Sequence, residues 1–240
     1  MTSQSLENRV ILITGAGSGL GHAAALALAA RGATLLLLGR NEERLNAVYD
    51  EILAAGHAEP AIIPFDVGSI EPSRFEQLAS TIAWQLKKLD GIVHSAARYI
   101  PLGPLSDQHL DQWQQAFNTN LLGAFALTRA CLPLLLKSED ASVLFTMEEH
   151  GLDVPKYWGG FGLSQQGLVP LMKLFAREHE GKPGIRFNLM VPGAVASPMR
   201  IRTHPGEINQ DQRPTRDLME SYCYWMSGES RGRSGEIIRP

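Results

Sequence analysis

The sequence predicts an α/β fold in a single domain: a doubly wound parallel sheet with helices on both faces. Three observations carry this. Short apolar runs alternate with helical patterns along the chain. Those runs show little in-and-out polarity, as expected of strands covered on both faces. A glycine-rich turn joins the first run to the first helix.

Arg9 to Thr14 reads as a first buried strand, and Gly19 to Arg31, rich in Ala and Leu, as a helix. Thr34 to Leu38 is a second strand. Asn41 to Ala55 is helical, with Asn41 placed to cap it and two glutamates in its first turn. Ala61 to Phe65 is a third strand, Ser69 to Lys87 a helix, and Gly91 to Ser95 a fourth strand. Leu110 to Leu136 reads as one long helical stretch with a bend near Asn118–Asn120. Ser142 to Thr146 is a fifth strand. Trp158 to His179 is helical and interrupted by Pro170. Ile185 to Val191 is a sixth strand, and Glu236 to Ile238 a short last one. No repeat or linker divides the chain, so residues 1–240 are expected to form one domain. Ser197 to Arg216 is the least regular segment, the kind of loop that covers ligands.

Composition narrows the function. The 240 residues carry a formal charge of −3, with 44% hydrophobic and 20% charged residues, a globular balance. No basic block offers a nucleic-acid surface. The pairs Arg200/Arg202 and Arg231/Arg233 read as solvated loop charges. No apolar run approaches the ~20 residues that span a bilayer, and the first ten residues lack a signal-peptide pattern. The two cysteines, Cys131 and Cys223, read as reduced thiols, with Cys131 buried. A cytoplasmic protein is expected.

The most informative motif is Thr14-Gly15-Ala16-Gly17-Ser18-Gly19-Leu20-Gly21. Gly15 allows the tight turn, Gly19 lets the backbone approach a pyrophosphate, and Gly21 lets helix pack on strand. The helix start then offers N–H groups and a favourable dipole to an anion.

This Thr-Gly-x3-Gly-x-Gly turn resembles that of the classical short-chain dehydrogenase/reductase family, and the likeness continues beyond it. Asp66-Val67 resembles the family's adenine-contacting pair. His94-Ser95-Ala96-Ala97 stands in the place of its Asn-Asn-Ala-Gly. Pro192-Gly193-Ala194-Val195-Ala196-Ser197 resembles its segment beside the nicotinamide. The resemblance implies a Rossmann-type fold and a nicotinamide cofactor. It implies cofactor contacts from Gly15, Gly17, Ser18, Gly19, Leu20, Gly21, Ser95, Ala96, Pro192, Gly193, Val195 and Ser197. His94 is expected to pack near the adenine or ribose.

The second strand ends Gly39-Arg40-Asn41. An NAD site places an acid here for the ribose hydroxyls. Gly39 and Arg40 instead suit a 2′-phosphate, for which a guanidinium is the natural partner. NADP(H) is the expected cofactor, held in part by Arg40 and Asn41.

The family's chemistry, by the same resemblance, uses Asn, Ser, Tyr and Lys. Asn120 matches the Asn. Glu148 falls at the Ser position, Phe161 at the Tyr and Gln165 at the Lys. Phe161 has no hydroxyl to move a proton, and Gln165 has no charge to stabilise a phenolate. Gln165 keeps donors for a ribose. An ionised Glu148 would repel a developing alkoxide.

Three readings follow: an NADP(H)-binding protein without ordinary dehydrogenase activity, an oxidoreductase with a substituted acid (Glu148 or His150), or a structural subunit of an oligomer. Tyr157 stands one helical turn before Phe161. No set of ligands with metal-site spacing is expected. The family pairs subunits through its two long helices. The implied homodimer face here includes Leu121, Leu122, Phe125, Leu168, Leu171 and Phe175. The substrate is not encoded in any pattern with a physical rule behind it.

Overall fold

In the computed structural model, residues 5–182, 184–207 and 212–240 are described. The expected lid segment is therefore seen only on either side of residues 208–211, which lie outside the described residues.

Seven parallel strands form one sheet in the order β3-β2-β1-β4-β5-β6-β7. They are β1 (Val10–Thr14), β2 (Thr34–Gly39), β3 (Ala61–Pro64), β4 (Gly91–His94), β5 (Ala141–Thr146), β6 (Ile185–Met190) and β7 (Ile237–Ile238). The strand order reverses between β1 and β4, which pair in register from Ile11–Gly91 to Thr14–His94. A crevice opens at such a point beyond the carboxyl ends of the strands.

Side chains of the central strands alternate between two separate cores. Leu12, Leu36 and Leu38 join one core with α3 (Pro72–Leu86), α5 (Gly123–Leu135) and α7 (Leu168–Glu178). Ile11, Ile13, Leu35 and Leu37 join the other with α1 (Gly19–Ala29), α2 (Glu42–Ala54) and α9 (Met219–Met226). Burial on both faces explains why these strands read as unbroken apolar runs. Cys131 lies in the first core and Cys223 in the second, unpaired. Burial pushes the Cys131 thiol up to about 12.

The long helical stretch is interrupted at the place where a bend is expected. After α4 (Leu110–Phe117) the chain makes a π-helical turn, Asn118–Leu122, before α5 resumes. Such a turn inserts an extra residue and re-aims the side chains around it. Thr119 turns toward the crevice and Asn120 toward the interior.

The second long helix is broken at a different place from the one Pro170 suggests. α6 (Gly159–Gln166) ends at Gly167, and Pro170 lies inside the first turn of α7. The ring of a proline excludes the carbonyl four residues before it, here that of Gln166. The break therefore falls one turn earlier, and Pro170 sits where a missing N–H costs least. The third helix is also shorter than the Ser69–Lys87 pattern. It begins at Pro72, and Lys87 leaves it with φ of 61°.

The irregular Ser197–Arg216 segment contains a short helix, α8 (Pro198–Thr203), capped by the Ser197 hydroxyl, which accepts from the Arg200 N–H at 3.1 Å. No helix among the described residues is long and apolar enough to cross a membrane.

Candidate active site

A cleft of about 630 Å³ runs along the carboxyl ends of the strands. One end is walled by the glycine turn. Gly15 has φ of 67°, and a Cβ there would stand 2.9 Å from the Ala96 backbone. Gly21 packs beneath it, where a Cβ would run into the Gly15 carbonyl. The turn is thus pressed between α1 and the loop after β4. Thr14 fixes that loop: its buried hydroxyl accepts from the N–H groups of Ser95 and Ala96, both at 3.0 Å. Among the described residues no side chain caps α1, and the residues at its start, Ser18, Gly19 and Leu20, line the cleft.

The sequence-derived residues Gly15, Gly17, Ser18, Gly19 and Leu20 line this end, with Arg40 and Asn41 beyond them. Asp66, Val67, Ser95 and Ala96 form one side. Gln165, Pro192, Gly193, Val195 and Ser197 line the other end. Gly21 supports the turn from behind. Asn41 caps α2 by accepting from the Arg44 N–H at 2.9 Å. That cap brings Arg44 into the cleft wall beside Arg40, and both guanidinium side chains are exposed. Arg44 was missed in the sequence. Its position one helical turn after Asn41 is the signal that could have found it. Thr119, Met147, Met199 and Arg202 also line the cleft without a sequence signal.

At the inner end, β5 runs into Met147, Glu148 and Glu149. Glu148 and Phe161 both line the cleft, as does Gln165. The Glu148 backbone N–H donates to Gln165 Oε1 at 3.0 Å, joining the strand end to α6. The Glu148 carboxylate accepts from the His150 N–H at 2.7 Å and lies 3.0 Å from His150 Nδ1. Burial raises its pKa, and the bonds to His150 oppose that rise. Phe161 is fully buried against Trp158 and Tyr99, with ring centroids at 5.8 and 5.7 Å. His150 stacks on Trp158 at 4.2 Å and does not itself line the cleft. Tyr157 is half exposed and turned outward with φ of 77°.

Two expectations need correction. Arg200 is not a solvated loop charge; only Arg202 of that pair is exposed. The Arg200 guanidinium is buried, donating to Glu149 Oε1 at 2.6 Å and to both oxygens of Glu207. The acids that bury it follow β5 and α8, so sequence proximity gave no hint of the first. His94 also faces away from the cleft. It stacks on Phe145 and shares a 2.8 Å hydrogen bond with Thr128 on α5. Burial drives its pKa down to about 3, so it is a neutral core residue.

Asn120 lies behind the cleft. Its side chain accepts from the Arg98 N–H at 2.6 Å and donates to Ser164 Oγ at 2.8 Å, tying the π turn to α6. Glu148, Glu149 and His150 place their ligand atoms within 4.8 Å of one another. The Arg200 cation already occupies Glu149 and lies 3.7 Å from Glu148.

A family sequence model described as short chain dehydrogenase matches residues 9–207. The chain is 35% identical over 230 residues to the uncharacterized oxidoreductase YciK of Escherichia coli K12, covering 96% of this chain and 90% of that protein. A short chain dehydrogenase structure from Salmonella enterica serovar Typhi superimposes with a TM-score of 0.95 at 35% identity, over 100% of this chain and 98% of that one. A chain from Escherichia coli CFT073, classed with the short chain dehydrogenases and complexed with NADPH, gives a TM-score of 0.95 at 33% identity, over 100% of this chain and 99% of that one.

Proposed function

The chain belongs to the short chain dehydrogenase family, and we propose that it is a single-domain NADP(H)-binding member without ordinary carbonyl dehydrogenase activity. The observation that carries this is one cleft with two unlike ends. Its phosphate end joins the glycine turn to two exposed arginines, and among the described residues its inner end offers neither a hydroxyl at Phe161 nor a cation at Gln165 to move a proton to a carbonyl oxygen. The turn, uncapped helix start and Arg40–Arg44 pair fit a pyrophosphate and a 2′-phosphate. The NADPH-bound relative supports the same cofactor. Asp66 and Val67 would flank the adenine, and the Gln165 amide would reach the nicotinamide ribose. Bound there, NADPH supplies a hydride donor.

The chain's own residues set the rest. In this reading Phe161, Glu148 and Gln165 stand at the family's Tyr, Ser and Lys positions. Phe161 can neither give nor take a proton. Gln165 spends its carbonyl oxygen on the Glu148 N–H. Glu148 places a carboxylate where negative charge would develop. Losing acid–base help alone removes about 10²–10⁴-fold in rate.

NADPH oxidation with a panel of aldehydes and ketones tests the reading. The natural protein is expected to stay at background, and the triple change Glu148→Ser, Phe161→Tyr, Gln165→Lys to gain about 10²-fold or more. Efficient turnover by the natural protein that collapses on Glu148→Ala or His150→Ala would favour the second reading, a rewired acid. The 3.0 Å contact between Glu148 and His150 Nδ1 is what supports that alternative.

The family's helix face supports a homodimer. Leu122 in the π turn and Phe125, Leu163 and Leu174 on α5, α6 and α7 are 39–53% exposed. Leu168 and Phe175 are buried in this chain's own core and belong outside the proposed interface. Two unpaired buried thiols fit a reducing, cytoplasmic setting.

A further inference from the structure

We infer that the inner end of the cleft takes an organic cation, an iminium or the amine formed by its reduction. This rests on the reading above, in which NADP(H) fills the cleft and Phe161 replaces a proton donor.

Reducing a carbonyl builds negative charge on oxygen, so a carbonyl site must present donors or cations. The charge here has the opposite sign. Asp66 and Glu148 are the carboxylates among the described cleft-lining residues, and Glu148 is the one at the inner end. Its side chain is only 13% exposed. Three carboxylates gather around Arg200: Glu149, Glu207 and Glu148. Glu149 is bonded at 2.6 Å and Glu207 at 2.7 Å, which leaves Glu148 at 3.7 Å. The other basic side chain lining this region, Arg202, is exposed to solvent.

The part-buried Glu148 carboxylate is held by His150 at 3.0 Å, and its nearest guanidinium stands at 3.7 Å, so a cationic ligand in the cleft can supply the direct charge partner it lacks at hydrogen-bond distance. The raised pKa of Glu148, caused by burial, reflects the same deficit. An anionic ligand would instead have to displace two carboxylates from Arg200. The remaining lining includes the part-exposed Met199, whose thioether suits a weakly hydrated organic cation. A second feature points to a ligand at this place. Gln165 is 3% exposed yet lines the cleft, and only its Oε1 is engaged among the described residues. Its amide N–H groups have no partner among the described residues.

The dismantled acid then has a chemical rationale. An iminium reduced by a nicotinamide hydride donor consumes no proton in that step: the hydride adds to carbon, and the C=N π pair becomes the nitrogen lone pair. A hydroxyl acid is unnecessary, and a carboxylate beside the nitrogen holds the cation in place and can pair with the amine once it takes a proton from water.

Calorimetric titrations of NADPH-loaded protein test this with three bicyclic probes of similar shape: protonated 1,2,3,4-tetrahydroisoquinoline, neutral isochroman and anionic 1,2,3,4-tetrahydro-2-naphthoate. The amine is expected to bind at least about tenfold more tightly than isochroman, and Glu148→Gln to erase that preference. The comparison of probes on the natural protein stands even if the variant folds poorly. NADPH consumption with N-methyl-3,4-dihydroisoquinolinium is expected to follow. Equal binding of amine and isochroman, or tighter binding of the naphthoate, would overturn the inference while leaving NADP(H) binding intact. Failure of NADPH itself to bind would overturn the earlier reading and this one with it.

Discussion

Glu148 shows how one side chain sets the character of the site. It is held by the His150 N–H, sits close to the His150 ring, and is shut away from water. A carboxyl whose folded pKa is raised contributes stability in its protonated form. That contribution is present below the ordinary carboxylate range and is lost as pH rises through the raised value. Glu148→Gln removes the titration while keeping an oxygen to accept from His150. The variant is therefore expected to melt higher than the natural protein at pH 7. Its advantage should shrink as pH falls through the raised value and be gone below the ordinary 4.5. Melting scans from pH 4 to 8 check this, and a gap that widens toward acid would contradict it. Residue chemistry at positions 148, 161 and 165 was legible in the sequence once the strand and helix register was fixed. Arg200 was not, because Glu149 and Glu207, which bury its charge, approach from either side of it in space.

At the scale of elements, the fold is held at the end opposite the cleft by a buried ion cluster. Asp140, just before β5, bonds Arg9 at 2.7 Å and also Arg186 on β6. Arg186 reaches on to Ser230 and to the Ser227 carbonyl, pinning the chain after α9. Burial opposes ionisation of Asp140, but Arg186 and Arg9 together hold its carboxyl below the usual range. A depressed acid contributes stability above its unfolded pKa, lost as pH falls toward the folded value. Asp140→Asn leaves the buried Arg186 and the part-buried Arg9 without their carboxylate, with an expected cost of about 3–5 kcal/mol. Urea titrations at pH 7 and pH 4 should give a large loss at pH 7 and a smaller one at pH 4. The strands were readable because double burial leaves an unbroken apolar run. The helix break was harder to place, since a proline acts on the carbonyl of the preceding turn. That moved the break to Gly167 rather than Pro170.

For the whole molecule, the alternation of strand and helix plus one glycine turn was enough to anticipate the layered sheet. Strand order, however, depends on long-range pairing that local pattern does not carry. The cleft followed from that order, since it opens where β1 and β4 part company. Most residues named from the family's motifs gather there, while His94 turns into the core and Asn120 lies behind the cleft. Those absent from the motifs, Arg44, Thr119 and Met199, entered through a helix cap, a π turn and a short helix. The homodimer is a whole-molecule claim, and light scattering at micromolar concentration should give twice the 26.3 kDa chain mass. A monomer at that concentration would return the exposed face of α5 to α7 to solvent.

The measurement closest to the central claim is a calorimetric titration of the purified protein with NADPH and with NADH. Micromolar or tighter NADPH binding is predicted, with NADH at least about tenfold weaker and the difference lost in Arg40→Ala/Arg44→Ala. Absence of binding by either nucleotide, or equal binding of both, would contradict the account.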